Sequence, residues 1–195
     1  MVQRMLISVL RAPLLKGAPD FTLEQIPSEQ RIPEMEFFYT VKRFTPSSLQ
    51  AVLSEFADTP IADLPDFREK IGQLDFKPVR GFMRGFIDLV FKFEDKYYLL
   101  DWKTNHLGNT FADYAVSHLT RNMEAAYYNL QYYIYTVALH KYLAGRVADY
   151  TYDTHFGGVF YLFIRGIHPD YPGSGIFFDR PPADLVEALG NLFGL

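Results

Sequence analysis

The chain has 195 residues, 49% of them hydrophobic and 17% aromatic, enough apolar material for one substantial core and a better fit to a single domain than to two. It contains no cysteine, which excludes disulfides, a thiolate zinc site, a cysteine nucleophile and an iron–sulfur cluster, so any metal must be held by oxygen or imidazole. The net charge of -4 speaks against nucleic-acid binding by bulk electrostatics, because phosphate neutralisation normally leaves a basic excess in at least one region.

In chain order, Val2 to Leu15 is a mixed apolar and basic stretch that predicts a short helix ended near Pro13 and Gly17. Arg31 to Lys42 reads as a strand, and Thr45-Pro46-Ser47-Ser48 reads as the start of a helix running from Leu49 to Phe56. From Asp58 to Pro78 the chain is rich in Pro, Asp and Gly, which predicts loop. Gly85 to Phe93 and Tyr97 to Thr104 are two β-favouring runs joined at Glu94-Asp95-Lys96, a hairpin signature. Met123 to Leu143 has the length and spacing of one long helix, Gly158 to Ile164 reads as a buried strand, and Asp184 to Phe193 as a last short helix. Apolar runs are interrupted within about a dozen residues, short of the roughly 20 needed to cross a bilayer, and no charged-then-apolar leader follows Met1. The expectation is a cytoplasmic protein with no membrane partner.

The hairpin carries the chemistry. Strand side chains alternate faces, so Ile87, Leu89, Phe91 and Phe93 share one face while Asp88 and Lys92 lie on the other. In the second run Tyr98, Leu100 and Trp102 share a face, and Asp101 and Lys103 share the opposite one. Matching the apolar faces puts Asp88 on the side of Asp101 and Lys103. A two-residue connection, either Glu94-Asp95 or Asp95-Lys96, gives that register, and the first sets Asp88 directly opposite Asp101, with Cβ atoms about 4.5–5.5 Å apart. Two carboxylates that close repel unless a proton or cation is shared between them. Mg²⁺ is typically held by one or two carboxylates with water and substrate phosphate. Lys103 on the same face can act on a metal-activated water or offset charge on an attacked phosphate, as phosphodiester hydrolysis requires. The plainer alternative is a surface hairpin in which Lys103 pairs with one aspartate, since D-x-K alone is a weak signal. A nearby group of cations, Lys77, Arg80, Arg84 and Lys92, is either the field that attracts DNA or a solvated strand edge.

The stretch Arg84-Gly-Phe-Ile-Asp-Leu-Val-Phe, followed by Tyr97-Tyr-Leu-Leu-Asp-Trp-Lys-Thr-Asn-His-Leu-Gly, closely resembles the nuclease motif of the RecB family within the PD-(D/E)XK superfamily. Asn129-Leu-Gln-Tyr-Tyr-Ile-Tyr resembles that family's Q-x-x-x-Y helix, and His155-Phe-Gly-Gly-Val-Phe-Tyr-Leu-Phe-Ile-Arg-Gly its following strand. The resemblance covers roughly residues 30 to 168 and lies nearest the C-terminal nuclease domains of helicase–nucleases of the exodeoxyribonuclease V type. It implies an α/β, restriction-endonuclease-like fold with a central mixed sheet flanked by helices. It also implies that residues 1–195 form a single nuclease domain, a C-terminal fragment of a longer chain. By the same resemblance Asp88 and Asp101 bind metal, Lys103 is catalytic, the backbone carbonyl of Trp102 is a further ligand, and Glu34 of an E-x-x-F pattern with Phe37 is a candidate fourth. Glu36 shares the face of Glu34, so a bulge could exchange their roles. Gln131 and Tyr135, one helical turn apart, are assigned to positioning the site or the DNA, though ordinary packing in a Tyr-rich helix explains them equally.

The cofactor implied is Mg²⁺, with Mn²⁺ as a substitute. The partners implied are DNA, RecC-like and RecD-like subunits and the RecA recombinase. No G-x-x-x-x-G-K-[ST] stretch is present, so no ATP site is expected in this chain. The family's upstream histidine ligand has no counterpart, because the first histidine is His106. The expectation is that the helix bearing it lies outside this sequence. The competing readings are a non-catalytic docking or DNA-guiding module of the same fold, an iron–sulfur relative disfavoured by the absence of cysteine, and a two-carboxylate glycosidase that leaves Lys103 unexplained.

Overall fold

Alternation of apolar and charged residues shapes the first strand, β1 (Arg31–Phe44), which buries Met35, Phe37 and Val41 and exposes Glu34, Glu36, Phe38 and Lys42. The computed structural model describes residues 2–56, 65–74 and 79–195. In it β1 is followed by β2 (Val79–Phe93), β3 (Lys96–Lys103), β4 (Phe156–Phe163) and β5 (Ile176–Asp179), joined in one five-stranded sheet of order β1-β2-β3-β4-β5. The β2/β3 and β4/β5 pairs are antiparallel and β3/β4 is parallel, so the sheet is mixed. The helices are α1 (Val2–Arg11), α2 (Pro46–Glu55), α3 (Pro65–Gly72), α4 (Val116–Ala125), α5 (Tyr128–Ala144), α6 (Tyr152–His155) and α7 (Ala183–Phe193). This is the α/β fold with a mixed sheet flanked by helices that the resemblance implies. Among the described residues no helix is long and apolar enough to cross a membrane.

The chain divides into two compact units. The first comprises Met1–Met35, Ile87–Met123 and His155–Arg180. Here Val9 and Ala12 near α1 join Leu89, Phe91, Tyr98, Leu100, Phe160 and Leu162 from one face of the strands in a single core cluster. Phe21 lies at its centre, stacked on Phe93 at 4.2 Å and within 5.1 Å of the Tyr98 ring. All eight residues of β4 are buried, as expected of a central strand covered on both faces. Gly157 and Gly158 allow this packing. A Cβ on Gly157 would lie 2.2 Å from the Tyr98 ring, and Gly158 has φ +141 beside a break in the β3/β4 register at Tyr97/Tyr98.

The second unit comprises Glu36–Phe86, Glu124–Thr154 and Pro181–Leu195. Thr45 caps α2 by accepting from Ser48 N–H at 3.1 Å, with Pro46 in the first turn where its missing N–H costs nothing. Helix α2 packs against α3 and α7, and α7 against α5. Leu49, Leu53, Phe67, Ile71, Leu189 and Phe193 are buried in this unit.

Two sequence-based expectations need correction, and one element lies outside all of them. The expected loop from Asp58 to Pro78 contains helix α3, whose Phe67 and Ile71, one turn apart, are 2% and 0% exposed; residues 57–64 and 75–78 of that stretch lie outside the described residues. The single helix expected from Met123 to Leu143 is two helices, because Tyr127 adopts a left-handed conformation (φ 56) between α4 and α5. Strand β5, four residues long, had no expectation at all.

Candidate metal centre

The turn between β2 and β3 sets the register of the site. Glu94 and Asp95 both have positive φ, 46° and 63°, the left-handed pair of a type I′ turn, whose twist suits the strands it joins. Lys92 Nζ lies 2.7 Å from Asp95 Oδ1 at this turn. Phe93 pairs with Lys96, and the register continues to Leu89 with Leu100. Of the two connections left open by the sequence, the molecule uses Glu94-Asp95.

Regular pairing ends at Leu89, and a side chain takes over. Asp88 Oδ2 accepts from the Trp102 backbone N–H at 2.8 Å, which fixes this carboxylate against β3 and leaves its Oδ1 with no hydrogen-bond partner among the described residues. A strand residue directs its N–H and C=O toward the same neighbour. The Trp102 carbonyl therefore also points to the β2 side, where Asp88 lies.

Asp101 and Lys103 are 3% and 9% exposed, an unusual degree of burial for charged groups. The Lys103 ammonium contacts Asp101 Oδ1 and sits 4.8 Å from the centre of the Tyr161 ring, which the parallel register sets beside Asp101. Burial pushes the Asp101 carboxyl above the usual carboxylate range, the Lys103 ammonium pulls it back, and the negative charge of Asp88 raises it again. The net shift is upward, so one ammonium does not offset the desolvation and the second carboxylate. A hard divalent ion suits this donor set of two carboxylates with a carbonyl turned to the same side.

Glu34 is exposed, with φ 50, and among the described residues no group of three or more His, Asp or Glu side chains gathers as a metal site. Glu36, in the second unit, is paired with Arg84 at 2.6 Å. Gln131 and Tyr135 are both on α5 in that unit, where Gln131 Nε2 donates to the Tyr135 hydroxyl at 3.0 Å and Phe37 meets the Tyr135 ring edge-on at 5.7 Å. Of the four cations expected to form a basic field, Arg84 and Lys92 are each committed to a carboxylate. Lys77 lies outside the described residues, as does the side chain of Arg80. Sequence reasoning missed Tyr161 beneath Lys103, because the register of a parallel pair leaves no local signal. It also missed Arg165, whose Nε donates to the Thr104 carbonyl at 2.8 Å, one residue beyond Lys103.

No family model matches the chain. It is 39% identical over 186 residues to the RecBCD enzyme subunit RecB of Escherichia coli K12, covering 95% of this chain and 15% of that protein. The RecBCD enzyme subunit RecB of Haemophilus influenzae is 49% identical over 120 residues, 62% of this chain and 10% of that protein. That of Mycolicibacterium smegmatis is 36% identical over 212 residues, 96% of this chain and 19% of that protein. The chain thus spans under a fifth of the length of these relatives. Identity of 36–39% sustained over 95–96% of the chain makes it a member of the RecB family, homologous to one segment of those subunits.

Proposed function

We propose that this chain is a metal-dependent nuclease domain that hydrolyses DNA phosphodiester bonds, the exonuclease part of a RecBCD-type complex acting in double-strand break repair. The observation that carries the reading is the buried Asp101–Lys103 pair on one strand beside Asp88, which is anchored to the backbone of Trp102. A surface hairpin has no reason to bury two charges, whereas a site for an ion and a phosphate does.

In this reading Asp88, Asp101 and the Trp102 carbonyl hold Mg²⁺, with Mn²⁺ as a substitute. When bound there, the ion would supply Lewis acidity toward a phosphoryl oxygen and acidify water. Lys103 donates to the attacked phosphate and offsets the charge that builds there, and its alkyl stem and the Tyr161 ring limit access of bulk water. The hydrogen bond from Trp102 N–H keeps Asp88 oriented through the reaction. Glu34 from β1 is the proposed fourth ligand, and Gln131 with Tyr135 the proposed positioning pair. The partners proposed are RecC-like and RecD-like subunits and the RecA recombinase, in the cytoplasm, with the chain a C-terminal part of a longer helicase–nuclease.

That no third carboxylate or histidine joins the aspartates as a metal site among the described residues favours a second reading, a docking or DNA-guiding module of the same fold. Cleavage of end-labelled linear single-stranded DNA separates the two. Mg²⁺-dependent cutting by the chain, abolished in Asp101→Ala and lowered about 10²–10³-fold in Lys103→Ala, is the expected result. Cutting that survives both substitutions, or absence of cutting even after a histidine-bearing segment is joined upstream, overturns the enzyme reading.

A further inference from the structure

We infer that the first unit carries a subsite for a single-stranded nucleic acid beyond the end of β3, in which Arg165 and His106 take a backbone phosphate and the Phe111–Tyr171 ring stack takes the adjoining base. The inference deepens the nuclease reading and rests on it for the identity of the strand. It is carried by three features that converge on the C-terminal ends of the parallel strands β3 and β4, where ligands of α/β sheets commonly sit.

The first feature is a guanidinium held in place. Arg165 is exposed at the end of β4, and its Nε donates to the Thr104 carbonyl at 2.8 Å. The remaining guanidinium N–H groups have no protein partner among the described residues, and Arg165 borders a cleft of about 240 Å³ that His106 also lines. An arginine fixed through Nε, with both terminal nitrogens open, presents the fork that matches phosphate geometry, and little side-chain entropy is left to lose on binding.

The second feature is an aromatic platform on a braced loop. Phe111 and Tyr171 stack at 4.3 Å with planes 20° apart, and His168 packs against both rings. Tyr171 nevertheless remains 50% exposed. The loop beneath is tied down: Ser174 Oγ donates to the Phe111 carbonyl at 3.0 Å, Gly175 N–H to the Tyr114 carbonyl at 2.9 Å, and Leu107 N–H to the Tyr114 hydroxyl at 3.2 Å. A preorganised exposed ring beside a cation is the pairing that binds single strands without sequence preference, since every base has a π-face.

The third feature is continuity. Phe111 and Thr110 line both the Arg165 cleft and a larger open groove of about 900 Å³ that runs past Tyr171 to Lys16. Arg165, which lines the smaller cleft, is tied to Thr104, one residue beyond Lys103, and Lys16 lines the larger groove. Of the two carboxylates nearby in sequence, Asp113 accepts from Thr110 N–H and Oγ1, both at 2.8 Å, and Asp170, which lines the groove, lies 3.6 Å from His168 Nδ1.

The test is the affinity of the intact chain for a fluorescent oligothymidylate in EDTA, measured across a series of salt concentrations. Tyr171→Ala should weaken binding about tenfold or more, and Tyr171→Phe should retain it. Arg165→Ala should weaken binding and lower the slope of log K against log salt by about 0.7, the signature of one lost phosphate contact on a single strand. Far-ultraviolet circular dichroism of each variant checks that it folds. Unchanged affinity in Tyr171→Ala and Arg165→Ala, or no affinity in the parent chain, overturns the subsite, and the first outcome is also what a protein-docking groove would give. Binding here needs no metal, so a chain that binds through these residues yet never cuts DNA removes the nuclease reading and leaves the subsite standing.

Discussion

The two faces of β3 are built for different ends. On one, Tyr98 and Leu100 are 7% and 0% exposed in a continuous aromatic and aliphatic cluster with Phe91, Phe160 and Phe21. On the other, Leu99 gives way to Asp101 and Lys103, charges buried almost as deeply. Side chains of the first kind stabilise by leaving water. Those of the second lose hydration and recover part of it from each other, so their arrangement opposes stability until a ligand completes it. One strand thus anchors the fold with its even-numbered residues and presents the proposed chemistry with its odd-numbered ones.

Substitutions on the two faces should therefore fail in different ways. The largest effect expected is on the apolar face, where Phe91→Ala removes a fully buried ring that touches Phe21, Tyr98 and Phe160. It should cost about 3–5 kcal/mol, read as a lower urea midpoint with every activity lost together. Next is Lys103→Ala, which should leave the chain folded and lower the cleavage rate about 10²–10³-fold, equivalent to about 2.7–4 kcal/mol at the transition state. A smaller effect is metal linkage. Mg²⁺ at ten times its Kd should stabilise the parent chain by about 1.4 kcal/mol, seen as a rise in melting temperature that Asp101→Ala abolishes. The smallest is at the hairpin turn. Replacing Glu94-Asp95 by Asn-Gly suits the two left-handed positions better and should raise the melting temperature slightly without altering cleavage. A loss of cleavage there would mean that the turn does more than set register.

The hairpin and its face assignment were legible because strand alternation is a two-residue rule and the apolar faces had to match. The two-residue turn at Glu94-Asp95 was one of two connections the sequence left open. The hydrogen bond of Asp88 to Trp102 N–H was not legible, since it arises where the ladder stops being regular. Helix α3 was hidden by neighbouring Pro and Asp residues, although the Phe67 and Ile71 spacing was there to be read. The break at Tyr127 has no Gly or Pro to announce it. Tyr161 and Arg165 depend on the pairing of β4 with β3, strands more than fifty residues apart in sequence, and no local pattern encodes such a register. Of the four cations Lys77, Arg80, Arg84 and Lys92, read as either a field for DNA or a solvated strand edge, Arg84 and Lys92 are paired with Glu36 and Asp95, partners that strand alternation alone does not reveal.

The most direct test of the central claim is calorimetric titration of the metal-free chain with Mn²⁺, beside Asp88→Ala, Asp101→Ala and Lys103→Ala. Saturable binding in the parent chain that disappears in both aspartate variants and persists in Lys103→Ala is the result predicted. Binding that is absent from the parent chain, or indifferent to Asp88 and Asp101, would contradict the assignment of this face of β3 as a metal site.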